Sequence, residues 1–169
     1  MALLTAIALA IFAVEAQIPV PIPVPGIKLG LANIVTVAAL YWMGPGPALA
    51  ILLVRVVLGC LATGQVAAIF YSLAGGLLSL AVMLPMRRVV GRKQVWVLSI
   101  VAAMAHNVGQ ILAAMVLTGT PQIVVYLPIL LFSGIVTGLF TGVCAQLAIE
   151  RLQLATCVII VIRIVFIVI

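Results

Sequence analysis

The sequence predicts an all-α integral membrane protein, built as a bundle of six transmembrane helices. Three observations carry that expectation. Hydrophobic residues make up 67% of the 169-residue chain, and the mean hydropathy is +1.53. Charged side chains make up 6%, against roughly 25% in ordinary soluble domains, so too little polar surface exists to cover a water-soluble core. The apolar residues also fall into six runs, punctuated by proline–glycine turns and one basic cluster, in a chain with room for about six spans of ~20 residues plus loops.

The first run covers residues 2–18. No basic stretch leads into it, and Glu15 and Gln17 sit poorly in a signal-peptide core, so it reads as a span. Pro19, Pro21, Pro23 and Pro25 then alternate with aliphatic residues up to Gly26. Prolines at that spacing cannot continue a helix and predict a stiff, extended loop. The second run, 29–43, is short for a span. It ends at Gly44-Pro45-Gly46-Pro47, a turn whose prolines suit the first turn of a new helix. The third run is 47–63 and the fourth 65–86. The cluster Arg87-Arg88-Val89-Val90-Gly91-Arg92-Lys93 precedes the fifth, 94–118. The turn Thr118-Gly119-Thr120-Pro121 leads into the sixth, 122–149, where Pro128 marks either a kink or a late start, and Glu150-Arg151 closes it. Residues 1–150 thus read as a single membrane domain. The tail 151–169 is apolar and β-branched with Arg163 inside it, and it is short for a further span. A partial helix, an interfacial segment and a non-native extension all fit it.

The basic cluster should face the cytoplasm. Counting spans from it places both ends of the bundle inside and the proline loop outside, with Tyr41, Trp42 and Trp96 at the inner interface, where aromatic belts form. The same charge pattern reads as a topology signal and not as a nucleic-acid surface.

Composition excludes other chemistry. The chain has no Asp, and its carboxylate side chains are Glu15 and Glu150, so no carboxylate cluster for Mg²⁺ or Ca²⁺ can be assembled. No phosphate-binding G-x-x-x-x-G-K-[ST] loop occurs. Cys60, Cys144 and Cys157 sit far apart in apolar runs and read as small hydrophobes. No metal, cofactor or catalytic residue is expected.

Gly134, Gly138 and Gly142 recur every fourth residue, a spacing that lets helices approach closely, and read as internal packing. Ala2, Ala6 and Ala10 have the same spacing and suit either internal packing or a partner subunit. Polar residues within spans are costly, which makes each a functional candidate. They are Glu15, Lys28, Asn33, Arg55, His106, Asn107 and Gln110. In the inferred topology most lie at mid-depth or in the outer half, beneath the proline loop. They form a candidate pocket with a lid in which Lys28 and Arg55 favour an anionic or carbonyl-rich ligand. Mutual neutralisation of Glu15 and Arg55, and a simple helix-to-helix hydrogen bond from His106, are the bland readings of the same residues.

The stretch Glu15-Ala-Gln-Ile-Pro-Val-Pro-Ile-Pro-Val-Pro-Gly-Ile-Lys-Leu-Gly-Leu-Ala-Asn-Ile34 resembles membrane proteins of the Gx transporter, or heptaprenyl diphosphate synthase component I, family. The resemblance continues through Arg55, Gly64, Ser72-Leu-Ala-Gly-Gly76 and His106-Asn-Val-Gly-Gln110, and covers roughly residues 1–150. That family is similar to the substrate-capture (S) components of energy-coupling-factor (ECF) transporters. The resemblance implies a six-span bundle in a bacterial or archaeal plasma membrane, with a pocket in the outer half. It implies a lid after the first helix, here Pro19, Pro21, Pro23, Pro25 and Gly26. It also implies docking of the first helix, through Ala2, Ala6 and Ala10, on a coupling transmembrane subunit that works with an ATPase pair. The ligand would be a small organic molecule, with vitamins, flavins and isoprenoid-related compounds all open. Prenyl-chain elongation by the usual enzymes needs paired Asp-rich motifs, which this chain lacks. The synthase label therefore implies at most an accessory membrane subunit of polyprenyl diphosphate or quinone synthesis. Transport without partner subunits is a third reading.

Overall fold

A computed structural model describes residues 1–17 and 30–168, with the side chains of 92 and 152–168 left aside. The proline loop and Lys28 therefore lie outside the described residues. Among those described, six α-helices follow one another and no strand occurs: α1 (Ala2–Glu15), α2 (Asn33–Trp42), α3 (Pro45–Ala62), α4 (Ala68–Val89), α5 (Val95–Thr118) and α6 (Leu127–Val168). Short 3₁₀ turns at Arg92–Gln94 and Pro121–Tyr126 lead into α5 and α6.

Four elements are long and apolar enough to cross a bilayer: α3, α4, α5 and the Pro121–Arg151 segment. The chain is a membrane-embedded helical protein. The other two helices are shorter than the ~20 residues that a span takes. α1 has 14 residues and α2 has 10, so α2 rises only about 15 Å. Eight of those ten residues are buried. A helix hydrophobic on every side is a core element. α2 is wrapped by α1, α3, α5 and α6 and anchors the main core through Val35, Val37, Ala39 and Leu40, packed with Ile51, Met83, Leu98 and Ile149.

Local sequence explains the ends. Gly44 takes φ +91°, and Pro45 occupies the first turn of α3, where its missing N–H costs nothing. Gly119 ends α5 in the left-handed region, and Pro121 opens the turn whose Ile123 plugs a second core cluster with Tyr71, Ile111 and Leu130. The sixth helix starts late, at Leu127, with Pro128 in its first turn. Most boundaries shift from the expected runs, and two C-terminal ends matter here. α4, expected to end at 86, runs to Val89, so Arg87 and Arg88 are helical. Pro85 stands at an exposed position of the helix and deletes the backbone donor that would have bonded the carbonyl one turn earlier. α6 continues unbroken to Val168, about 63 Å of helix, so the backbone of the tail extends the sixth helix up to that residue.

The glycine stripe packs inside the bundle. A Cβ on Gly138 would lie 2.7 Å from the Ile100 Cα, one on Gly142 would lie 2.6 Å from the Trp96 Cα, and one on Gly134 would meet the Asn107 amide at 2.8 Å. Gly109 brings α5 equally close to α4, with its Cβ position 2.8 Å from the Gly75 Cα. The sequence thus sets α4, α5 and α6 in near backbone contact, and Ser99 and Thr141 hydroxyls, 3.1 Å apart, add a polar clip between α5 and α6. Ala2, Ala6 and Ala10 lie on the opposite kind of surface. All three are exposed on α1, beside exposed Leu3, Ile7 and Val14.

Candidate functional site

α1, α3, α4 and α5 close around a small cavity lined by Phe12, Glu15, Gly30, Arg55, Val56, Ser72 and His106. Arg55 lies about 15 Å along α3 from its start, and Ser72 lies in the second turn of α4, which runs the other way. The cavity therefore sits past mid-depth, toward the end of the bundle opposite the basic cluster. Its free space amounts to about one water molecule.

Glu15 is the last residue of α1 and is buried. Its Oε1 accepts the backbone N–H of Gly30, and its Oε2 accepts that of Ala32 at 3.2 Å. A carboxylate at this place satisfies backbone donors just ahead of α2, where the helix dipole also favours negative charge. Gly30 has no substitute there. Its φ is +83°, and a Cβ on it would stand 3.1 Å from the His106 ring. Glycine at this point lets the backbone pass between the carboxylate and the imidazole.

Phe12, one turn before Glu15, seats α1 on α3. Gly59 makes the room, since a Cβ there would overlap the Phe12 ring at 2.5 Å. Arg55 projects from α3 into the cavity that Glu15 also lines, so opposite charges face the same space. Its Nε has no hydrogen-bond partner. Neither has the Ser72 hydroxyl on α4. His106 on α5 turns Nδ1 toward the backbone of Gly75 without hydrogen-bond geometry. Three polar groups on three helices are thus buried around one cavity with unmade bonds, each costing about 1–3 kcal/mol. Arg55 and Ser72 offer a guanidinium N–H and a hydroxyl, and the His106 ring lines the same space, a set that suits a ligand presenting oxygen acceptors.

The other polar residues of the sequence reading lie elsewhere. Asn33 donates from Nδ2 to Ser79 Oγ at 3.0 Å, tying α2 to α4. Asn107 donates to the Leu130 carbonyl at 2.6 Å and ties α5 to the first turn of α6. Gln110 is fully buried with its Cγ against Gly75. None of the three lines the cavity. Conversely, Phe12, Gly30, Val56 and Ser72 line it without having been singled out from sequence. For Gly30 the signal was available, as a glycine between Lys28 and Asn33 in an otherwise aliphatic run. Ser72 stood out only through the Ser72-Leu-Ala-Gly-Gly76 segment of the family resemblance, because a lone serine is ordinary in a membrane helix.

A family model described as heptaprenyl diphosphate synthase component I matches residues 4–148, which takes in α1 through the membrane-spanning part of α6 and every cavity residue. No curated protein and no solved structure matches the chain. The chain belongs to the heptaprenyl diphosphate synthase component I family.

Proposed function

We propose that this protein is the substrate-capture component of an ECF-type uptake transporter in the plasma membrane, and that the Arg55–Ser72–His106 cavity is its ligand site. The observation that carries this reading is that three buried residues, Arg55, Ser72 and His106, each keep a polar atom without a partner and converge from three helices on one cavity. Arg55 and Ser72 supply donors to the ligand's oxygen atoms, and His106 fixes its orientation. The Glu15 carboxylate latches the end of α1 to the backbone before α2. A small organic ligand is larger than the present space, so binding requires α1 and the Gly30 backbone to separate from α3 and α5. The Glu15 latch is the contact that breaks, which makes Glu15 a gate residue. The segment 18–29, with Pro19, Pro21, Pro23, Pro25, Gly26 and Lys28, is proposed as the lid over this opening.

In this reading the protein is not an enzyme, and energy comes from a partner ATPase pair through a coupling membrane subunit. The exposed apolar face of α1, with Ala2, Ala6 and Ala10, suits such a subunit because small side chains permit close helix approach. Both termini are proposed to face the cytoplasm, on the strength of the basic cluster. The family's description favours a second reading, an accessory membrane subunit of polyprenyl diphosphate synthesis. Gentle purification from native membranes separates the two. Transport predicts co-purified ATPases and a membrane coupling subunit. The accessory role predicts a soluble, Asp-rich synthase instead, and its recovery without ATPases would overturn the transport reading.

A further inference from the structure

At the other end of the bundle, the ends of α2 and α4 and the starts of α3 and α5 come together. A groove of about 640 Å³ opens there between Pro45 of α3 and Leu84, Pro85, Arg87 and Arg88 of α4. The volume falls in the ~300–1,000 Å³ range of ligand sites. Its chemistry divides in two. Pro45, Leu84 and Pro85 form an exposed apolar floor, and two guanidinium groups form the rim.

We infer that this groove binds the phosphate headgroup of an anionic phospholipid. Arg87 is held by its guanidinium carbon lying 5.8 Å over the Tyr41 ring, and the Tyr41 hydroxyl in turn donates to the Val90 carbonyl at 3.4 Å. The arginine is thus preorganised on a buried aromatic residue. Arg88 is exposed beside it. The start of α3 presents the positive end of a helix dipole to the same groove, where Pro45 and Pro47 leave the Gly46 N–H in the first turn. Lys93 and Arg92 follow within five residues of Arg88. At this end of the bundle the chain carries one carboxylate side chain, Glu150, whose Oε1 already accepts from Gln146.

Depth fits the same occupant. α4 rises about 33 Å, so its last turn lies at the level where headgroups begin, alongside partly exposed Trp42 and Trp96. A phosphate diester meets the arginines by paired charge-assisted hydrogen bonds while its glycerol and first methylenes cover Leu84 and the prolines. A soluble anion would leave that floor bare. The inference is independent of the ligand cavity, which lies beyond mid-depth toward the opposite end.

The full-length protein in phosphatidylcholine nanodiscs doped with either phosphatidylglycerol or further phosphatidylcholine tests it by native mass spectrometry. The expected result is phosphatidylglycerol adducts that survive activation, reduced about tenfold in Arg88→Gln, which leaves the Tyr41 contact intact, and further in Arg87→Gln/Arg88→Gln. Lys93→Gln should change retention less than about twofold, since a diffuse charge effect is spread and screened. Equal retention of both lipids would overturn the inference, as would equal losses in Lys93→Gln and Arg88→Gln. Displacement of the lipid by inorganic phosphate, or stronger retention of a polyprenyl diphosphate, would also overturn the phospholipid assignment. Unchanged melting of Arg88→Gln confirms that the comparison is made on folded protein.

Discussion

The two halves of the bundle solve the same packing problem in opposite ways. Along α4, α5 and α6, glycines bring backbone against backbone, with Ser99 bonded to Thr141 and the Asn107 Nδ2 to the Leu130 carbonyl, while Asn107 Oδ1 keeps no partner. Around α1 and α3, the same bundle leaves space. Arg55 on α3 and Ser72, where α4 borders the cavity, keep buried polar atoms without partners, and α1 is seated by Ala8 in the main core, by Phe12 against Gly59 and by the Glu15 latch. The difference teaches where stability and function are invested. Close helix contact in lipid derives from dispersion and shape, with no hydrophobic drive between helices, so the glycine wall is what holds the fold. Unmade hydrogen bonds are destabilising, so the cavity persists at the expense of stability, as sites commonly do.

Substitutions should separate the halves, and the largest effect belongs to the wall. Gly142→Leu drives a side chain into the Trp96 backbone and should cost about 3 kcal/mol or more, seen as loss of a cooperative thermal transition in detergent. Gly46→Ala, in open space at the start of α3, should leave the midpoint unchanged or slightly raised. Similar melting of the two variants would erase the proposed contrast. At the border between halves, Gly30→Ala forces a side chain at φ +83° against His106 and should cost about 1–2 kcal/mol. Ser79→Ala, which removes the partner of Asn33, should cost about 1 kcal/mol in the same melt, with no effect on ligand retention. Inside the cavity, Ser72→Ala removes a hydroxyl that has no partner and should change stability by about 1 kcal/mol or less, in either direction. A collapse on Ser72→Ala would mean that the serine is a structural member of the wall.

Much of this contrast could be read in the sequence, for physical reasons that also set its limits. Gly134, Gly138 and Gly142 announced close packing because a repeat of four places them on one helix face, and only small residues serve there. Six helical runs stood out because the turns between them are built of proline, glycine or charge. The depth to which α2 is buried did not stand out, since an apolar run looks the same facing lipid or facing protein. The continuation of α4 past 86 was hidden because Arg87 and Arg88 read as the charge cluster that ends the span, whereas they form its last helical turn. Within the site, Glu15, Arg55 and His106 were conspicuous because lipid makes such residues expensive. Polarity alone did not distinguish them from Asn33 and Asn107, whose Nδ2 groups donate to Ser79 and Leu130 across helix contacts and which do not line the cavity. That distinction depends on the partner across the interface, which no spacing along one helix reports.

The central claim is that the Arg55–Ser72–His106 cavity is kept unsatisfied for a ligand. Native mass spectrometry of the protein purified gently from its own membranes tests it most directly. The account predicts a bound small molecule of defined mass, lost in Arg55→Met and in Ser72→Ala and retained in Gly46→Ala, with all three variants still folded. Retention of the same molecule in both cavity variants would place the ligand elsewhere, and folded protein that is empty in every form would contradict the claim.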